Sequence, residues 1–187
     1  MSYSSDSFPN KVGNSWHYQV SDTAISQGVP QTTEIIQYNL DVSITGNTHL
    51  PTGEEVTIWQ YKYPDHTDTS LVYQHEDSLK YMYKAGTNVN MFYIVPLKTN
   101  TEWSLFPRYG CGIFGKVLDT TSLQVNSFHF NEVMPVSIYG NCPDLGFNVL
   151  EWYVRGVGLV KRTNNNAGSF NIIHHFTGWS LQSYHLL

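Results

Sequence analysis

Residues 35–45 alternate without a break: Ile36, Tyr38, Leu40, Val42 and Ile44 interleave with Gln37, Asn39, Asp41, Ser43 and Thr45. Strand side chains point to opposite faces in turn, so this pattern predicts a strand with one buried and one wetted face. A turn follows over 47–53, marked by Pro51 and Gly53, and the pattern resumes over 54–63. There Thr57, Trp59, Tyr61 and Tyr63 oppose Val56, Ile58, Gln60 and Lys62, so both faces carry large apolar or amphipathic groups. That fits a strand covered on both sides, or an exposed aromatic row.

Residues 69–76 and 79–84 predict a hairpin around Glu76, Asp77 and Ser78, with Leu79, Tyr81 and Tyr83 on one face. Residues 91–95 predict a short strand ended by Pro96. Further strands are predicted near 113–125, 128–139, 148–155, 158–163, 170–176 and 179–186, punctuated by Gly, Asn and Pro. No stretch repeats its apolar residues at helical period. The best helix former is nearly absent, with Ala24, Ala85 and Ala167 standing alone against thirteen Tyr, nine Phe and five Trp. The predicted fold class is therefore all-β: a single antiparallel meander curled into a barrel, half-barrel or sandwich, with almost no helix. Residues 1–7 read as a flexible polar N-terminal tether and 8–187 as one all-β domain.

Charged residues make up 13% of the chain, about half the usual share. Net charge is −5, and the ten Lys and Arg are scattered, which argues against nucleic acid as a partner. No apolar run reaches the roughly 18 residues of a transmembrane segment. Cys111 and Cys142 lack the spacing of a zinc motif, and each lies beside turn residues: Gly110 and Gly112 for one, Gly140 and Pro143 for the other. A disulfide stapling strand ends in an oxidising compartment fits that setting and would contribute about 3–4 kcal/mol. Two buried free thiols are the alternative.

Three segments carry a family resemblance. Gly13, Trp16 and Tyr18 follow Phe8-Pro9; Pro96, Leu97, Asn100 and Trp103 come later; and 156–161 read Gly-Val-Gly-Leu-Val-Lys, before a closing stretch with Trp179 and Leu181. This order resembles a broad group of uncharacterised β-rich bacterial cell-envelope proteins, many of them predicted lipoproteins. Asn100 stands where that pattern has glycine, and Asn also accepts left-handed turn geometry. Arg155 stands where members often have proline. The group has no agreed catalytic residues, so the resemblance transfers none. It implies an exported domain, periplasmic or outer-membrane-associated, tethered through a removed N-terminal segment that has room for a lipid anchor upstream of Met1. Independently of family, Gly156-Val157-Gly158 suits a tight reversal between two strands. Leu150, Trp152 and Val154 would then face the core, with Glu151 pairing Lys161 or Arg162 on the other side.

Candidate chemistry is sparse. Adjacent His174 and His175 point to opposite strand faces and cannot easily share an ion, so no metal site and no cofactor are expected. Asp65-His66-Thr67-Asp68 reads as a polar turn after Pro64. Glu54, Glu55, Glu76 and Asp77 are the carboxylates from which a glycoside-hydrolase pair would have to be drawn. The aromatic strands offer more: Trp59, Tyr61, Tyr63, Tyr81 and Tyr83 are the candidate ligand-binding residues. The leading expectation is a non-catalytic envelope domain binding an apolar or glycan-like ligand or an envelope protein. A carbohydrate-active hydrolase with an acidic cleft, and a structural envelope protein without a small ligand, are the alternatives.

Overall fold

The computed structural model describes residues 8–26, 30–75, 78–83, 89–108, 111–140, 147–166 and 173–187. Among them run thirteen β-strands and no helix. Two long strands, β1 (Ser15–Ser26) and β2 (Thr32–His49), precede β3 (Glu55–Lys62), β4 (Thr67–His75), β5 (Ser78–Tyr83) and β6 (Val89–Ile94). Next come β7 (Glu102–Arg108), β8 (Cys111–Val117), β9 (Thr121–Val125) and β10 (Phe128–Gly140). The last three are β11 (Phe147–Val154), β12 (Gly158–Asn166) and β13 (Ile173–His185). All pairings are antiparallel. The sheet runs β6-β5-β4-β3-β2-β1-β13-β12-β11-β10-β8-β7, with β9 added beside β10. Twelve strands thus curl into a nearly closed barrel, the first of the three architectures the sequence allows.

The two end strands meet through side chains rather than a ladder. Trp103 on β7 donates its indole N–H to the Phe92 carbonyl on β6 at 2.7 Å, and its ring lies 6.2 Å from that of Tyr93. Gly115 on β8 makes room for that indole, since a Cβ there would stand 2.4 Å from its ring carbons. Gly115→Val is therefore expected to overpack the seam and cost about 1–3 kcal/mol. Urea unfolding measures it, and a loss below about 0.5 kcal/mol would show that Trp103 is free to move aside.

Alternation sets the inside. On β1, Trp16, Tyr18 and Val20 are buried; on β2, Val42 and Leu40 pair with Trp16 and Tyr18 and are buried, as is Ile44. Ile36 departs from expectation, at 52% exposed. It pairs with Asp22 towards the far end of β1, so the predicted alternation continues where buried neighbours do not. Two segmentations also differ from the sequence reading. The span 113–125 divides into β8 and β9, whereas 170–176 and 179–186 merge in β13, which passes through Gly178 unbroken. Asn100 takes φ 65°, so it does accept left-handed turn geometry, as expected of Asn.

Candidate functional site

The N-terminal segment reaches the barrel interior. Phe8 packs its ring 4.6 Å from Tyr153 and 5.0 Å from Tyr93. Asn10 Oδ1 accepts hydrogen bonds from Trp59 Nε1 at 2.8 Å and Thr57 Oγ1 at 2.5 Å. Asn14, itself buried, donates to the Pro9 carbonyl and accepts from the Leu187 N–H, joining the two ends of the chain. The β11–β12 hairpin docks against β1 on the same interior: Trp16 Nε1 donates to the Val157 carbonyl and Tyr18 Oη to the Leu159 carbonyl, both at 2.7 Å. Gly158 has φ 95°, and a Cβ on it would lie 3.2 Å from Pro9. Glycine is required there twice over, by the backbone angle and by the close approach.

Within these walls is a cavity of about 410 Å³. Trp16, Tyr18, Trp59, Tyr61, Tyr93 and Tyr153 line it, together with the Phe8-Pro9 segment, Glu151 and Arg162. Trp16 and Trp59 stack with centroids 5.3 Å apart and planes 11° from parallel. The lining runs outward to Asp68, whose side chain is 67% exposed, so the cavity reaches the surface along β4.

One charged pair sits among the aromatics. Glu151, 2% exposed, accepts hydrogen bonds at Oε2 from Tyr93 Oη (2.6 Å) and Tyr153 Oη (2.8 Å). Its other oxygen faces Arg162 Nε at 3.5 Å, a long ion-pair contact. The guanidinium carbon lies 5.0 Å from the Trp179 ring centroid, a cation–π distance. A quarter of the Arg162 side chain stays accessible although it lines the interior, so part of its surface looks into the cavity. Burial pulls Arg162 towards neutrality, but Glu151 and the surrounding tyrosines outweigh that and raise its pKa overall. Burial pushes the Tyr93 hydroxyl well up, and the Glu151 charge adds to it. The Tyr18 and Tyr61 hydroxyls are pushed up chiefly by burial too. All stay protonated at neutral pH, as donors.

The sequence-derived candidates divide. Trp59 and Tyr61 on β3, with Tyr63 just past its end, line the cavity together. They form an inward wall rather than an exposed row. Tyr81 and Tyr83 are paired at backbone level with Val72 and Ser70 of β4, but their side chains lie outside the described residues. The same holds for the Cys111 side chain and all of Cys142, so the predicted disulfide has no support among the described residues. Glu54 hydrogen-bonds Thr52, Glu55 bonds Asn47, and neither lines the cavity; Glu76 and Asp77 lie outside the described residues. His174 and His175 both lie on β13, the His174 side chain outside the described residues, and no group of three metal-ligating side chains is found among those described. His66 is exposed and bonded to Asp65 at 2.7 Å, which raises its pKa and lowers that of the carboxylate.

The expectation for β11 is reversed. Glu151 does pair with Arg162, but inside the barrel between buried Val149 and Tyr153, while Leu150, Trp152 and Val154 take the opposite face. Lys161 covers Trp152 there, its ammonium 5.1 Å from the ring centroid. Both faces of β11 carry apolar bulk, so alternation alone could not choose between them. The usable signal was Tyr153, a potential hydroxyl donor on the same face as Glu151.

No protein-family model matches the chain, and no curated protein matches it. Two solved structures are similar to it over nearly their whole length. One, described as a "putative lipoprotein" from Parabacteroides distasonis ATCC 8503, is 15% identical, with 96% of this chain and 98% of that one covered and a TM-score of 0.49. The other, a "putative exported protein with YmcC-like fold" from Bacteroides fragilis NCTC 9343, is 12% identical, with 94% and 98% covered and a TM-score of 0.44. No helix among the described residues is long and apolar enough to cross a membrane.

Proposed function

We propose that the domain is a non-catalytic binding protein of the cell envelope that holds a small, largely apolar ligand inside its barrel. The observation that carries this reading is the aromatic cavity of about 410 Å³. Its size falls within the roughly 300–1,000 Å³ typical of small-molecule sites, and its composition, apolar walls with a few converging polar groups, is theirs too. Glycan stacking on an open aromatic platform fits less well, because Trp59 is only 7% exposed and lies against Trp16. An exported setting is favoured by the low charge content and by the envelope-protein motifs around Trp16, Trp103 and Gly158.

The neutral fluorophore N-phenyl-1-naphthylamine tests the reading. It is expected to bind saturably, one per chain, with energy transfer from the cavity tryptophans. Ser70→Trp, placed on the cavity lining, should abolish binding while leaving the melting temperature within a few degrees of the parent. Absence of saturable binding to the folded native protein would defeat the proposal, as would binding untouched by a folded Ser70→Trp.

A further inference from the structure

The polar groups of the cavity specify more than an apolar occupant. Among the described residues, neither terminal nitrogen of Arg162 has a hydrogen-bond partner; its one polar contact is the long Nε approach to Glu151. The Tyr61 hydroxyl, lining the same cavity from β3, has no partner among them either. Both are donors at neutral pH. The hydroxyls of Tyr93, Tyr153 and Tyr18 are already committed, to Glu151 and to the Leu159 carbonyl. The Glu151 oxygens are engaged as well, one by two hydroxyls and the other facing Arg162. The site therefore offers spare donors, and a ligand must present an acceptor to use them.

Charge decides which acceptor. Glu151 and Arg162 cancel, so the interior is neutral before anything binds. Asp68 stands where the lining meets the surface, and the chain as a whole carries −5. A carboxylate entering this site would leave one net negative charge in a low-dielectric interior, close to Glu151, and uncompensated buried charge is costly. A carbonyl or ester oxygen accepts the same hydrogen bonds without that penalty. An amine would set its charge beside Arg162 and bring no acceptor.

Resting on the cavity-binding reading above, we infer that the ligand is an uncharged amphiphile, an apolar chain bearing a carbonyl or ester oxygen, whose oxygen is held by Arg162 and Tyr61. Glu151 positions Arg162 and, through its charge, excludes acids.

Displacement of bound N-phenyl-1-naphthylamine by methyl decanoate, decanoate, decylamine and decane, at about pH 8 where a free carboxylic acid is ionised, tests this. Methyl decanoate is expected to displace the probe at a concentration about tenfold or more below decane, the ratio a hydrogen bond to a charged donor supplies. Decanoate should be about tenfold weaker than its ester and should gain as pH falls towards its own pKa. Glu151→Gln removes the opposing charge, so decanoate should then match or surpass the ester. The double variant Glu151→Gln/Arg162→Gln, which strands no charge, should lose the preference for ester over decane. Equal displacement by ester and decane, or decanoate as the tightest competitor of the native protein, would overturn the inference while leaving the cavity reading intact. Failure of the probe itself to bind defeats that earlier reading instead. The native-protein series decides the matter even if a variant does not fold.

Discussion

Glu151→Ala is expected to lower stability by about 3–5 kcal/mol, the cost of removing one partner from a buried pair. The loss has two sources. Arg162 would keep its charge inside the barrel with only the Trp179 face opposite it. The Tyr93 and Tyr153 hydroxyls, both bonded to Glu151 Oε2, would lose their shared acceptor. Glu151→Gln separates these contributions, because an amide oxygen still accepts from the tyrosines while the charge pairing is gone. Since Arg162 keeps a quarter of its side chain accessible, cavity water can solvate it in part, and the Gln variant should lose less, about 1–3 kcal/mol. Chemical denaturation of the three proteins measures the series. A cost below about 1 kcal/mol for Glu151→Ala would mean that the carboxylate is not holding this cluster together.

The position of Glu151 also marks where sequence reasoning stops. Strand periodicity reads well when one face is polar: on β2, Leu40, Val42 and Ile44 are buried as their alternation requires. It fails on β11, where Leu150, Trp152 and Val154 look as core-like as Val149 and Tyr153. The physical tie is broken by long-range contacts, Tyr93 from β6 and Arg162 from β12, which no local window contains. Closure is invisible for the same reason. The end strands are held by the Trp103 indole and a vacancy at Gly115, a pairing of side chain with missing side chain rather than a repeat. The first half of β2 defeats the pattern differently: Ile36 alternates correctly and is still exposed, because alternation selects a face without supplying something to cover it. Trp59, Tyr61 and Tyr63 were legible as one row; that the row faces a cavity, and that Trp59 meets Asn10 far away in sequence, was not.

Trp59→Ala is the second large effect expected, about 3–5 kcal/mol of stability, in the range for truncating a buried aromatic. Trp59 lies flat on Trp16, and Asn10 Oδ1 takes hydrogen bonds from both Trp59 Nε1 and Thr57 Oγ1. Truncation therefore removes the stacked ring and loosens the N-terminal segment whose Phe8 lines the cavity. Trp59→Phe keeps an aromatic face against Trp16 and loses the indole N–H, so it should cost less, about 1–3 kcal/mol, the difference reporting ring area against hydrogen bond. The cavity wall changes along with stability, so affinity for N-phenyl-1-naphthylamine should fall in the folded Ala variant. A residue serving only as a surface contact would behave otherwise, losing affinity with its melting curve unmoved. Unfolding of Trp59→Ala within about 1 kcal/mol of the parent would contradict its place in the barrel wall, whatever happens to binding.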